Sequence, residues 1–442
     1  MPATKRKSVE PGEKKDAEKK EPAVFNERQQ LAIDAAVKHR QNVFLTGSAG
    51  VGKSFVLREI IQLLRQQNKV GVTGSTGIAA IQIGGVTLYN LFNLSPDMVD
   101  KKTLRSSAAW KEIDCLVIDE VSMLHPDLFV YLDLHAKKSR GCDDPFGGVQ
   151  LILVGDFFQL PPVHKNGPPA ITFAFELPIW KELFADGKGV AVELNAVYRQ
   201  EDREFVELLE RVRRGELFSG DPMKLQLLDA AQPAGYVKLF GRLNNVDECN
   251  HRELRRLTGK SMRYQWNFKA EAAPGKEPFT SLELAKYERD ISKSLPVNSI
   301  LELKEKALVM LVTNLCPEMG LANGSCGEVE SFDSDGWPTV KFASATVKVR
   351  PYEWVVQLAR GKMTASALPL KLAYAITIHK SQGQTIDKLF VDLANVWEYG
   401  QAYTSLSRAK SMQQLVVSNF TKECVKAHPK VLAFYKGIAH CA

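Results

Sequence analysis

From Phe25 onward, short apolar runs of strand length alternate with stretches whose apolar residues recur at helical spacing. The pattern predicts a helix over 27–40, a strand over 42–45, a glycine-rich turn, a helix over 53–66 and a strand over 70–73. Two more apolar runs, 115–118 and 149–154, lead into carboxylates and read as buried strands at the centre of a sheet. Strands alternating with helices at this spacing build a parallel α/β sheet, whose strand ends face a ligand crevice. A second α/β region begins at Gly189 and carries strands expected over 373–377, 389–392 and 414–417. Between about Tyr264 and Leu368 that region is interrupted. Strand-like pieces over 307–313, 327–332, 339–342 and 345–349, separated by Gly, Asn, Asp and Pro, predict a small β-barrel insertion.

Residues 1–22 break from this pattern. They are almost entirely Lys, Glu, Pro and small polar types, cannot bury a core, and are expected to be a disordered charged tail. A solvated tail, a nuclear address and an auxiliary DNA-binding arm around Lys5, Arg6 and Lys7 all remain open. The rest has an ordinary globular composition, 45% hydrophobic and 25% charged, with no apolar run of bilayer length. The formal charge of +7 suits a polyanionic partner without requiring one. Cys115, Cys142, Cys249, Cys316, Cys326, Cys424 and Cys441 are scattered, with no C-x-x-C spacing, which argues against a disulfide framework or a zinc site. With no secretory apolar stretch at the start, a reducing intracellular compartment is expected.

Chemistry concentrates in three segments. Gly47-Ser48-Ala49-Gly50-Val51-Gly52-Lys53-Ser54 follows an expected strand and opens an expected helix, the context a phosphate-binding loop requires. Backbone N–H groups wrap the phosphates, the helix N-terminus favours their charge, Lys53 reaches the terminal phosphates and Ser54 is a magnesium ligand. The strand ending Asp119-Glu120 offers one carboxylate for the magnesium, Asp119, and one to orient or deprotonate the attacking water, Glu120. Gly155-Asp156-Phe157-Phe158-Gln159-Leu160-Pro161-Pro162 closes the next strand. There Gln159 has an amide able to read the terminal phosphate, and Asp156 can fix neighbouring polar groups.

These segments, in this order, resemble superfamily-one helicases, and further residues narrow the resemblance to the Pif (petite integration frequency) family. They are Thr73 to Ala80, Gly85 to Phe92, Asp127 to Gln150, Leu194 to Gln200, Gly320 to Gly324, Ala375 to Thr385 and Tyr403 to Ala409. The family's usual histidine in the second of these is Tyr89 here, still an aromatic ring able to stack on a base.

The resemblance implies two RecA-like P-loop motor domains. The first, 23–188, holds the phosphate-binding loop and a small wedge; the second comprises 189–299 and 368–442, with a barrel similar to a Src-homology (SH3) domain at 300–367. It implies ATP and Mg2+ as cofactors, Arg199 and Arg408 as arginine fingers, and Gly383 beside the nucleotide. Gln29 is the expected adenine reader, with Gln30 leaving a one-residue ambiguity. The expected DNA contacts are Thr87, Tyr89, Phe92, Phe158, His379, Lys380 and Thr385, although Phe92 and Phe158 read equally well as core. The implied activity is a 5′-to-3′ DNA helicase that moves on single-stranded DNA and opens duplexes, forks or G-quadruplexes in replication, recombination, repair or telomere maintenance. It is expected to be monomeric, with no membrane partner and with access to genomic DNA in nucleus, cytoplasm or nucleoid. Two alternatives remain: an ATP-switched DNA-remodelling protein without processive unwinding, and a RecD-like helicase subunit of a nuclease complex.

Overall fold

The computed structural model describes residues 24–439 apart from 76–78, 81–82, 101–102, 163–172, 198–201, 219, 221–225, 228–235, 295–296, 317–318, 322 and 359–360. The charged tail at 1–22 therefore lies outside the described residues. The first sheet contains β1 (Asn42–Gly47), β2 (Val70–Gly74), β3 (Val86–Thr87), β4 (Cys115–Asp119), β5 (Gln150–Val154) and β6 (Gly189–Leu194). All six are parallel, in the order β3-β2-β4-β5-β1-β6.

Why these strands are apolar at every position follows from what covers them. Along β1, Phe44 enters one apolar core while Val43 and Leu45 enter another on the opposite face. Likewise Leu116 and Ile118 of β4 face the first core, and Cys115 and Val117 the second. A strand whose side chains alternate between two faces, both buried, cannot show polar alternation.

The second sheet begins with β7 (Gln226–Leu227) and β8 (Val237–Phe240). An antiparallel insertion follows, with β9 (Met262–Gln265), β10 (Asn267–Ala272), β11 (Ile300–Leu303), β12 (Leu308–Leu311), β13 (Cys326–Phe332), β14 (Pro338–Phe342), β15 (Thr346–Lys348), β16 (Tyr352–Leu358), β17 (Gly361–Ala367) and β18 (Leu370–Leu372). The second sheet then resumes with β19 (Ala375–Thr377), β20 (Leu389–Asp392) and β21 (Leu415–Ser418), giving the parallel order β19-β8-β20-β21-β7.

Three expected boundaries move. β6 pairs with β1 from Asn42↔Gly189 to Gly47↔Leu194, so 189–194 belongs to the first sheet and not to the second unit. The last helix, Pro429–Ala439, lies within the span expected for the second unit but packs on the first. Its Phe434 ring stacks on Phe175 at 4.2 Å and meets Phe44, Phe157 and Trp180. The insertion is wider than 300–367, because β9 pairs with β11 and β10 with β17. It thus spans 262–372 as three sheets: β15-β14-β13-β12-β18, β9-β11 and β10-β17-β16. The helix Ser281–Ser294 covers the last of these, with Ile291 beside Met363 and Ala365.

Candidate functional site

β1 delivers the chain into the loop 47–54, and the helix Lys53–Leu64 leaves it. Gly47 has φ 135°, and a Cβ there would sit 2.4 Å from the Leu194 carbonyl oxygen of β6, so only glycine fits. Gly50 and Gly52, at φ 87° and 85°, turn the backbone toward the helix N-terminus. Lys53 Nζ donates to the Gly47 and Ser48 carbonyls at 2.7 and 2.9 Å, folded along its own loop.

A cleft opens over this loop. It is lined by Ala49, Gly50, Gly52, Lys53, Ser54, Phe55, Asp119, Glu120 and Gln159 from the first half and by Gly383 and Arg408 from the second. Gly47, Ser48 and Val51 are not among the lining residues; Val51 is fully buried in the core behind it. Phe55 is an exposed aromatic at the mouth, its ring 5.4 Å from Phe25, and no sequence motif singled it out.

Asp119 ends β4 inside the protein, and burial together with the neighbouring Glu120 charge pushes its carboxyl up to about 7. Glu120 sits in the left-handed region at φ 55°, and its N–H donates to Asp119 Oδ1 at 2.9 Å. Its side chain is held from the other half: Gln382 Nε2 donates to Glu120 Oε2 at 3.0 Å and to Ser122 Oγ at 3.3 Å. Gln159 is buried, and its Oε1 accepts from Arg408 Nη2 at 3.4 Å. Arg408 is itself aimed by bonds to the Thr404 carbonyl at 2.8 Å and Ser407 Oγ at 2.9 Å. The Tyr403 hydroxyl donor–acceptor group accepts from the loop amide of Ala49 at 2.8 Å. Gln382 and Tyr403 lie inside motif strings legible in the sequence, but nothing there distinguished them from their neighbours.

Chemically, the cleft gathers what phosphoryl transfer requires. It has backbone donors at a helix N-terminus, a lysine, a carboxylate placed to orient water, an amide and a guanidinium supplied across a gap. Ser54 and Asp119 are oxygen donors on the same wall, and a magnesium ion takes few protein ligands when phosphates supply the others.

Other expected residues fare differently. Arg199 lies outside the described residues. Gln29 is buried in a capping box, its Oε1 accepting from Asn26 N at 3.1 Å while Asn26 Oδ1 accepts from Gln29 N at 2.9 Å. Gln30 is exposed and bonds Asp34. Thr87 caps the short helix Leu88–Leu91 at the carboxyl end of β3, with Tyr89 half-buried behind it. His379 and Lys380 occupy the equivalent turn after β19, where burial lowers the pKa of the His379 imidazole; Thr385 is exposed nearby.

Two residues that read equally as DNA contacts or as core are buried. Phe92 is 2% exposed and stacks on Trp110 at 4.0 Å, and Phe158 is 4% exposed against Tyr435 at 4.6 Å. Both rings pack against core neighbours.

Comparison with known proteins agrees with this geometry. The PIF1-like helicase family matches residues 24–221, and the 2B domain of the DNA helicase Pif1 matches 286–332, within the insertion. The crystal structure of Pif1 helicase from Candida albicans is 32% identical with a TM-score of 0.80, covering 94% of this chain and all of that one. The chain belongs to the PIF1-like helicase family. A human family member, ATP-dependent DNA helicase PIF1, is 38% identical over 92% of this chain, which spans 63% of that relative's length. A Bacteroides Pif1 helicase structure in complex with ADP-AlF3 and ssDNA is 27% identical with a TM-score of 0.73, covering 95% of this chain and 98% of that one. The two parallel-sheet halves of the present chain thus follow the family's RecA-like architecture.

Proposed function

We propose that this PIF1-like chain is an ATP-dependent, 5′-to-3′ DNA helicase that moves along single-stranded DNA and separates duplex or folded DNA. One observation carries the reading: Arg408 of the second half is bonded to Gln159 in the cleft that holds Lys53, Asp119 and Glu120 of the first. The residue that would neutralise charge on a transferring phosphoryl group therefore stands on the second half, across the cleft from the loop that binds the phosphates. The names of the human and Bacteroides relatives support ATP and single-stranded DNA as ligands.

In this reading Ser54 and Asp119 would hold the Mg2+ that accompanies ATP, which would supply screening of the phosphate charge. Lys53 leaves its own loop carbonyls for the terminal phosphates. Glu120, oriented by Gln382, takes a proton from the attacking water, while Gln159 and Arg408, joined by Arg199, stabilise the phosphoryl oxygens. Gln29 and Gly383 flank the nucleotide. Thr87 and Tyr89 follow the carboxyl end of β3 and His379 and Lys380 that of β19, and together with Thr385 they grip the DNA strand in turn as the cleft closes and opens. The antiparallel insertion is the accessory SH3-like barrel. The chain works as a monomer on genomic DNA inside the cell.

A strand-displacement assay with matched 5′ and 3′ single-stranded overhangs tests this reading. ATP-dependent unwinding from the 5′ overhang alone is expected. Unwinding from the 3′ overhang would contradict the polarity, and ATP hydrolysis without unwinding from either would favour a remodelling protein.

A further inference from the structure

Behind the nucleotide cleft lies a polar junction that the reading above does not use. Asp156, fully buried, begins the turn that ends at Gln159, and its carboxylate is met by the Arg213 guanidinium through Nε and Nη2, both at 3.0 Å. Arg213, 2% exposed, belongs to the helix Arg203–Arg213, and it also bonds Glu193 of β6 at 3.3 Å and pairs with Glu210 at 3.5 Å. Its planar group lies 4.5 Å from the Phe158 ring centre and 5.2 Å from that of Tyr435. From the last helix, the Tyr435 hydroxyl donates toward Asp156 Oδ1 at 3.3 Å, accepts from Phe157 N at 3.2 Å and bonds Thr46 Oγ1. Asp156 also fixes its own turn, its Oδ1 accepting from Phe158 N at 3.1 Å and its carbonyl from Gln159 N at 2.9 Å.

Thr46 immediately precedes the phosphate-binding loop, and Gln159 lies in the cleft. The junction therefore pins both backbone segments that approach the terminal phosphate, while none of its own side chains lines the cleft. A buried ion pair is a poor device for stability, because desolvation cancels much of its attraction; what its directed bonds do supply is fixed geometry. Two of its struts come from helices that flank the second half in sequence, so a shift of either helix reaches the Gln159 turn directly.

We infer that Arg213 and Tyr435 are positioning residues for ATP hydrolysis: they hold the Asp156–Gln159 turn so that Gln159 meets the terminal phosphate, and they act through Gln159 without touching nucleotide. The inference rests on the ATPase reading of the cleft and names residues that the cleft itself does not.

The test compares full-length wild type, Arg213→Lys, Tyr435→Phe, Gln159→Ala and the two doubles carrying Gln159→Ala. For each, kcat and KM for ATP are measured with saturating single-stranded DNA, alongside the melting temperature. Arg213→Lys keeps the charge but loses the fork, and Tyr435→Phe keeps the ring but loses the hydroxyl. Each single variant is expected to lower kcat about tenfold, with KM within about twofold, as a small misplacement of a catalytic group does. Each double is expected to be no slower than Gln159→Ala alone. The same fold-loss in the Gln159→Ala background would overturn the inference. So would an unchanged kcat in both single variants, or a loss matching the fraction unfolded at the assay temperature. A wild-type protein that turns over no ATP would instead overturn the helicase reading, and this inference with it.

Discussion

Phe92 and Tyr89 lie three positions apart on one short segment, and their different fates show what a side chain's neighbours decide. Phe92 faces inward and stacks on Trp110, whose indole N–H donates to His135 Nδ1 at 3.1 Å; Tyr89 is only half-buried. Phe92→Ala should therefore cost the fold about 3–5 kcal/mol through the cavity it leaves, with little change in DNA affinity of the folded protein. Tyr89→Ala should do the reverse, losing about 1–3 kcal/mol of base stacking and so about tenfold in affinity for single strands. Thermal melting and oligonucleotide anisotropy on both variants separate the two. Weaker DNA binding by a Phe92→Ala protein that melts normally would reverse the assignment. Sequence spacing could not choose here, because an aromatic residue in a motif has the same signature whether its ring meets a base or another ring. Lys53, Ser54, Asp119 and Glu120 were legible because their spacing follows backbone geometry that few other arrangements satisfy. Gln382 was not, since its role depends on Glu120 arriving from 262 positions away.

Among elements, those made of local pattern were legible and those made by distant pairing were not. The alternation of strand and helix from Phe25 to Val154 appears in the structure within a few residues of its expected bounds. β9 and β10, by contrast, are only partly buried at alternate positions, and they became strands by pairing with partners far along the chain. The last helix carries apolar residues that suit either half; the Phe434 stack on Phe175 decides for the first. The short helix Gln401–Leu406, which leads into Arg408, depends on a single glycine. Gly400 has φ 70°, and a Cβ there would lie 2.4 Å from the Phe158 carbonyl oxygen and 2.5 Å from that of Gln159. Gly400→Ala must therefore push the helix away from the turn it docks on, in addition to about 1–2 kcal/mol for the left-handed backbone. Lower thermal stability together with slower ATP turnover is expected. A variant with wild-type melting temperature and turnover would show that the close approach is not needed.

For the whole molecule, the physics reduces to two bodies and a cleft. One apolar core runs through both, joining Phe44, Leu116 and Leu153 of the first sheet to Leu389, Val391 and Leu406 of the second half. Polar contacts cross where chemistry is expected: Gln382 to Glu120, Tyr403 to the Ala49 amide, and Arg408 to Gln159. Under the proposed function, a shift of one half would change the surroundings of a bound triphosphate and make ATP turnover sensitive to a strand lying along the facing edges. The most direct measurement is steady-state ATP hydrolysis, with and without single-stranded DNA, by wild type and Arg408→Ala, using Lys53→Ala as the inactive reference. Strong stimulation of the wild type by DNA is predicted, with Arg408→Ala slower by about a thousandfold, as loss of an arginine finger entails, and still able to bind the strand. DNA-stimulated turnover by Arg408→Ala equal to that of wild type would contradict the account, because the guanidinium reaching across the cleft would then contribute nothing to the reaction.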